Sequence, residues 1–252
     1  MRRLPLVVLF VALLPLAAAC GGGSSGATSQ PSTAATTDQV TRPTAAPDTG
    51  AALRRFVEAA GAGDAATVWS LLSTVSQERL GPTQEDFARR YTESFRTGVG
   101  SFAGTDYQTV LAVEMPSGWG VAAIAGDRVR QGQEEFGTYA AALRFEDGAW
   151  KLELGDEVVL RSVSPAEDPT ADRRPPIGVR IQAPAQVEEV GLWLDGQPLR
   201  GQASGTSPHD VTITGLPPGD LTPGQHVIVV FGRAGELAAA GSTPFRVSLP
   251  TT

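Results

Sequence analysis

Apolar and polar residues alternate with a period of two from Gly98 nearly to the end of the chain, which commits most of this sequence to β-strands. Tyr107–Glu114, Trp119–Ala125, Phe136–Phe145 and Ala149–Leu154 read as four strands, with half-buried alternation clearest in Trp150, Leu152 and Leu154. Asp147-Gly148 between the last two is a type I′ hairpin signal. A second set of alternating segments includes Val179-Ile181-Ala183, Val190-Leu192-Leu194, Val211-Ile213, Val227-Val229-Phe231 and Phe245-Val247-Leu249. Turns at Asp195-Gly196, Pro217-Pro218-Gly219 and 232–235 separate these at spacings that suit a β-sandwich.

Only residues 51–97 carry a helical period. Leu53, Phe56, Val57 and Ala60 form one apolar face, ended by glycines at 61 and 63. Asp64 can cap a second helix burying Val68, Trp69, Leu71 and Leu72. Thr83 with Asp86 can cap a third, on which Phe87, Tyr91 and Phe95 share a face. The expected fold class is therefore α+β, three helices on a curved antiparallel sheet over 50–160, plus an all-β immunoglobulin-like sandwich over 177–250. The proline-rich, charged stretch 161–176 reads as a linker.

The N-terminus is of another kind. Arg2 and Arg3 precede an apolar run, Leu4 to Leu16, too short to span a bilayer as a helix at ~20 residues. Ala17, Ala18 and Ala19 then lead to Cys20, the single cysteine of the 252-residue chain. The segment LAAAC resembles the lipobox of bacterial lipoproteins, with Leu16 one place earlier than the family pattern. The resemblance implies a signal peptide over 1–19, cleavage before Cys20 and acylation of that cysteine. Two or more chains at about 0.8 kcal/mol per buried CH₂ hold a protein on a membrane where one does not. With Cys20 acylated, no thiol is left for a disulfide, a thiolate metal site or a nucleophile. Residues 20–49 then form a flexible lipidated tether, reaching roughly 30 Å from the membrane.

The stretches FVEAAGAGDAATVWSLLS and LRFEDGAWKLEL resemble those of nuclear transport factor 2-like domains, which implies a cone-shaped helix-and-sheet fold over 50–160. LWLDGQPL and LPPGDLTPGQHVIVVF resemble bacterial immunoglobulin-like surface modules.

Chemistry is sparse. The net charge of −7, with both signs spread along the chain, leaves no basic stripe to displace phosphate counterions, so nucleic acid is not an expected partner. The cone fold hosts isomerases and cyclases that place a carboxylate with a Tyr or His in an apolar pocket. Here the first half has no histidine, and Tyr91, Tyr107 and Tyr139 lie among core positions, so no catalytic residue is assigned. A candidate apolar pocket would be lined by Phe56, Trp69, Phe95 and Tyr139. His209 and His226 read as turn and strand-end residues, not as a metal pair, and no cofactor or metal is expected. The glycines of 98–104 lack the spacing of a phosphate loop.

The expectation is a lipid-anchored binding or scaffold protein on the extracytoplasmic face of the cell membrane, not an enzyme. Its partners would be the membrane itself, through the anchor, and a cell-wall component or envelope protein. The alternative is a small-molecule carrier or isomerase-like protein using the pocket of the cone.

Overall fold

Each α-helix among the described residues begins on a side chain that accepts a backbone N–H. A computed structural model describes residues 48–155, 157–165 and 170–248. Asp48 caps α1 (Thr49–Gly61), Asp64 caps α2 (Ala65–Leu71), Ser73 caps α3 (Thr74–Leu80) and Thr83 caps α4 (Gln84–Thr97). A short 3₁₀ turn, Val99–Phe102, leads into the first sheet.

That sheet, sheet 1, is a meander of β1 (Tyr107–Glu114), β2 (Gly120–Arg130), β3 (Gln133–Glu146) and β4 (Ala149–Glu153). The β3–β4 turn has Asp147 at φ 52° and Gly148 at φ 76°, the pair of positive angles a type I′ turn requires. The edge at β4 is not left open. The chain between α2 and α3 runs alongside it, with Leu72 bridged to Leu152 and the Ser73 N–H donating to the Leu152 carbonyl at 2.9 Å.

Nine further strands build two more sheets among the described residues: β5 (Val159–Ser164), β6 (Thr170–Ala171), β7 (Ile177–Gln182), β8 (Glu189–Leu194), β9 (Gln197–Pro198), β10 (Gly201–Ser207), β11 (Asp210–Gly215), β12 (Gly224–Ala234) and β13 (Leu237–Val247). Sheet 2 has the order β10-β11-β7-β5, and sheet 3 the order β6-β13-β12-β8-β9. All pairings are antiparallel except the short β13–β6 contact.

Three apolar layers hold these elements together. Ala122 and Ile124 of β2 and Ala141 and Leu143 of β3 face the helices, meeting Leu53, Phe56, Val57 and Phe87. The intervening residues Val121, Ala123, Ala125, Ala140 and Ala142 face the other way and meet Trp193, Val227, Val229 and Phe231 of sheet 3. Ile228 and Val230 of β12, with Leu192 and Leu194 of β8, then face Ile177, Val179 and Ile181 of sheet 2. The order of layers is helices, sheet 1, sheet 3, sheet 2.

The expected fold class, α+β plus a separate immunoglobulin-like sandwich, is therefore corrected. The described residues form a predominantly β protein of three stacked sheets, with four short helices covering one outer face. The reason lies in the strands themselves. Strands buried on both faces read as unbroken apolar runs, and GVAAIA and HVIVVF are such runs. Part of 161–176, read as a linker, is built into the stack: β5 pairs with β7, and β6 with β13. The helices number four among the described residues, α3 being the addition.

Candidate functional site

Of the residues singled out in the sequence, Cys20 lies outside the described residues. Phe56, Trp69, Phe95 and Tyr139 all reach one place, the core between the helices and sheet 1. Phe56 of α1 meets Phe95 edge-to-face at 5.7 Å between ring centroids, and Phe87 sits 5.6 Å from Phe95 and 5.2 Å from Trp69. Tyr139 enters from β3 beside Ile124, and burial pushes its hydroxyl up to about 12. The gap bordered by Val68, Phe87 and Phe95 is too small to admit a water molecule. These aromatics fill the space between helices and sheet; they do not line a chamber.

A polar cluster that the sequence did not reveal lies behind α3. Glu153, the last residue of β4, has no exposed side-chain surface. The Ser73 hydroxyl, besides capping α3, donates to Glu153 Oε2 at 2.5 Å. Arg79 Nη1 stands 3.4 Å from Oε1, and Arg144 Nε 3.7 Å from Oε2. Burial raises the Glu153 carboxyl above its ordinary value, opposed by the Ser73 hydrogen bond and by the two arginines. Arg144 lies 4.5 Å above the Trp119 ring and donates through Nη2 to the Glu236 carbonyl at 2.6 Å. The cluster thus runs from α3 through sheet 1 to the β12–β13 turn. With its oxygens engaged by Ser73, Arg79 and Arg144, this carboxylate acts as a fastening between layers.

His226 is likewise engaged on both sides. Its Nδ1 is 2.7 Å from Asp195 Oδ2 and its Nε2 is 2.7 Å from the Thr222 carbonyl, so neither ring nitrogen is open to a metal. His209 is exposed in the β10–β11 turn.

A wide concavity lies outside the filled core. A cleft of about 840 Å³ opens between the end of α4, the 3₁₀ turn and the tip of the β2–β3 hairpin. Arg96, Arg128 and Arg130 line it, and no carboxylate does. Glu93 holds Arg96 from behind with bonds of 2.9 and 2.7 Å, and that pairing keeps the Glu93 carboxyl below its usual range. Glu135 does the same for Arg128, with Nε at 2.9 Å and Nη2 at 2.6 Å, and stands 3.8 Å from Arg130. Arg128 also lies 6.0 Å from the centroid of the Phe102 ring.

The floor of the cleft depends on two glycines. A Cβ at Gly100 would stand 2.6 Å from the Gly61 nitrogen and 2.7 Å from the Ala60 carbonyl carbon, both backbone atoms that cannot swing aside. Gly100→Ala is expected to push the 3₁₀ turn off α1 at a cost of about 1–3 kcal/mol, read as a lower midpoint in urea unfolding. An unchanged midpoint would show that the two backbones do not touch.

No protein-family model matches the chain, and no curated protein is significantly similar to it. The likenesses to known domains thus rest on the quoted stretches alone. No helix among the described residues is long and apolar enough to cross a membrane.

Proposed function

We propose that this chain is a non-catalytic binding or scaffold protein of the bacterial cell envelope, tethered to the outer face of the membrane through acylated Cys20. The observation that carries the binding reading is the filled space between helices and sheet 1. Phe56, Phe87, Phe95 and Trp69 occupy the volume that an enclosed substrate chamber would need. The alternative, a carrier or isomerase-like protein built around that chamber, loses its support there. Contacts with a cell-wall component or an envelope protein then belong to the outer surface, which the tether over 20–49 would hold clear of the headgroups.

Mass spectrometry of the N-terminal peptide of the protein isolated from membranes tests the anchor. The expected product begins at Cys20 and carries a diacylglyceryl thioether. Cys20→Ala is expected to move the protein out of the lipid-modified membrane fraction. An unmodified Cys20, or a mature start elsewhere, overturns the anchored reading.

A further inference from the structure

We propose that the arginine-lined cleft between α4, the 3₁₀ turn and the β2–β3 hairpin is a binding site for a phosphate ester of a small polyol, with glycerol phosphate as the simplest member of the class. This goes beyond the envelope reading and stands on the cleft alone.

The charge distribution is the first ground. The chain carries 27 acidic residues against 20 basic ones, yet this cleft is lined by three arginines and no carboxylate. On a surface with this excess of acidic groups, three cations on the wall of one concavity make a local patch of positive potential.

Orientation of the guanidinium groups is the second. Glu93 takes the Nε and Nη2 edge of Arg96, and Glu135 takes the same edge of Arg128. Neither glutamate lines the cleft. Each pairing fixes a planar fork and leaves Nη1 without a hydrogen-bond partner among the described residues, and Arg130 makes no hydrogen bond there at all. Two glutamates against three arginines leave the cluster one positive charge in excess. A guanidinium held along one edge is preorganised to offer its remaining N–H groups to an oxyanion.

Shape narrows the ligand. Three arginines on the wall of one cleft offer more N–H donors than the two oxygens of a carboxylate can use, and a phosphate monoester presents three oxygens. About 840 Å³ is far more than an inorganic ion fills and lies in the range of small-molecule sites. Gly61, Gly98 and Gly100 with Ala103 keep the floor free of long side chains, and the Ser94 hydroxyl and Gln131 amide offer polar contacts to a hydroxylated body.

The phosphate ester could come as a soluble metabolite or as a phospholipid headgroup, and the same titration separates the two. Full-length protein, purified as it is produced, is titrated calorimetrically at low ionic strength with glycerol 3-phosphate, with glycerol, and with dihexanoyl phosphatidic acid, whose phosphate is also a monoester, below its micellar concentration. The expected result is one site for glycerol 3-phosphate, the short-chain lipid or both, no heat with glycerol, and weakening as salt is added. Arg96→Gln together with Arg130→Gln, both at exposed side chains, is expected to weaken binding about tenfold or more while leaving the thermal midpoint unchanged. Binding of the soluble ester alone assigns the site to a metabolite; binding of the lipid alone or of both assigns it to a headgroup. Absence of binding by either, or equal binding by the double variant, overturns the proposal. The outcome is independent of Cys20, because the titration reads the same site whether or not that residue is acylated.

Discussion

Phe231→Ala is expected to lower the melting temperature of the whole protein by about 10 °C, in one transition that every probe follows together. Phe231 has no exposed surface and stands on the face of β12 that meets sheet 1. Its layer includes the short side chains of Ala123, Ala125, Ala140 and Ala142, so large rings such as this one fill much of the space. Small neighbours on rigid, hydrogen-bonded strands cannot collapse into the space a phenyl group vacates. The expected loss is therefore in the usual range for such a deletion, about 3–5 kcal/mol. At about 2–4 °C per kcal/mol for a protein of this size, that gives the shift stated. The helices, followed by far-ultraviolet circular dichroism, are expected to melt together with the sheets, followed by the fluorescence of the four tryptophans, because the described residues belong to one compact unit. Two separated transitions, with only the later strands affected, would show that sheets 1 and 3 fold independently.

Arg144→Met is expected to cost about 3 kcal/mol or more, and Glu153→Gln distinctly less. The asymmetry follows from exposure. Removing Arg144 leaves a wholly buried carboxylate with Arg79 as its remaining cation, and it also strips the cover from Trp119. Removing the charge of Glu153 leaves two arginines that are each about a quarter exposed and can turn to water. Glutamine also keeps an oxygen for the Ser73 hydroxyl.

The pH dependence has a definite sign. The folded protein holds the Glu153 proton more tightly than the unfolded chain does, because burial raises the carboxyl above its ordinary value of 4.5. Protonation of this group therefore favours folding. Its ionisation costs stability as the pH rises from 4.5 through the folded value, and that loss is recovered on acidification. The stability of the native protein relative to Glu153→Gln is expected to grow as the pH is lowered from 7 to 5, measured by urea unfolding at each pH. A difference that shrinks instead would mean that the arginines outweigh burial and hold the carboxylate charged.

Much of the local structure was legible in the residues. The apolar stripes placed α1 and α4, Asp64 and Thr83 cap the helices they were expected to cap, and Tyr107–Glu114 is β1 to the residue. Asp147-Gly148 and Asp195-Gly196 both adopt the paired positive angles their sequences ask for. What escaped has physical causes. Gly201–Ser207, GQASGTS, has no apolar residue larger than Ala203 to betray β10, which pairs with β11 at the edge of sheet 2. TVSQERL carries no clear apolar stripe, because α3 covers a sheet edge by its cap and its serines rather than by a greasy face. Glu153 follows Leu152 in an alternating strand and so reads as its solvent side, although α3 and Arg144 enclose it. The alternation of Val227, Val229 and Phe231 showed one buried face of β12, while Ile228 and Val230 made a second that only a third sheet could explain. The cleft arginines come from α4 and from β2, and although Arg128 and Arg130 share a strand face by their i, i+2 spacing, nothing in the sequence links Arg96 to them.

The burial of sheet 1 between helices and β12 also bears on how the chain is made. Ribosomes deliver residues 107–146 well before 224–234, so the Val121–Ala125 surface must wait for a partner encoded roughly a hundred residues later. A nascent or prematurely terminated product lacking that partner displays a naked greasy sheet. Such a product is marked for chaperones and proteases, and completeness of the polypeptide becomes a condition for its survival.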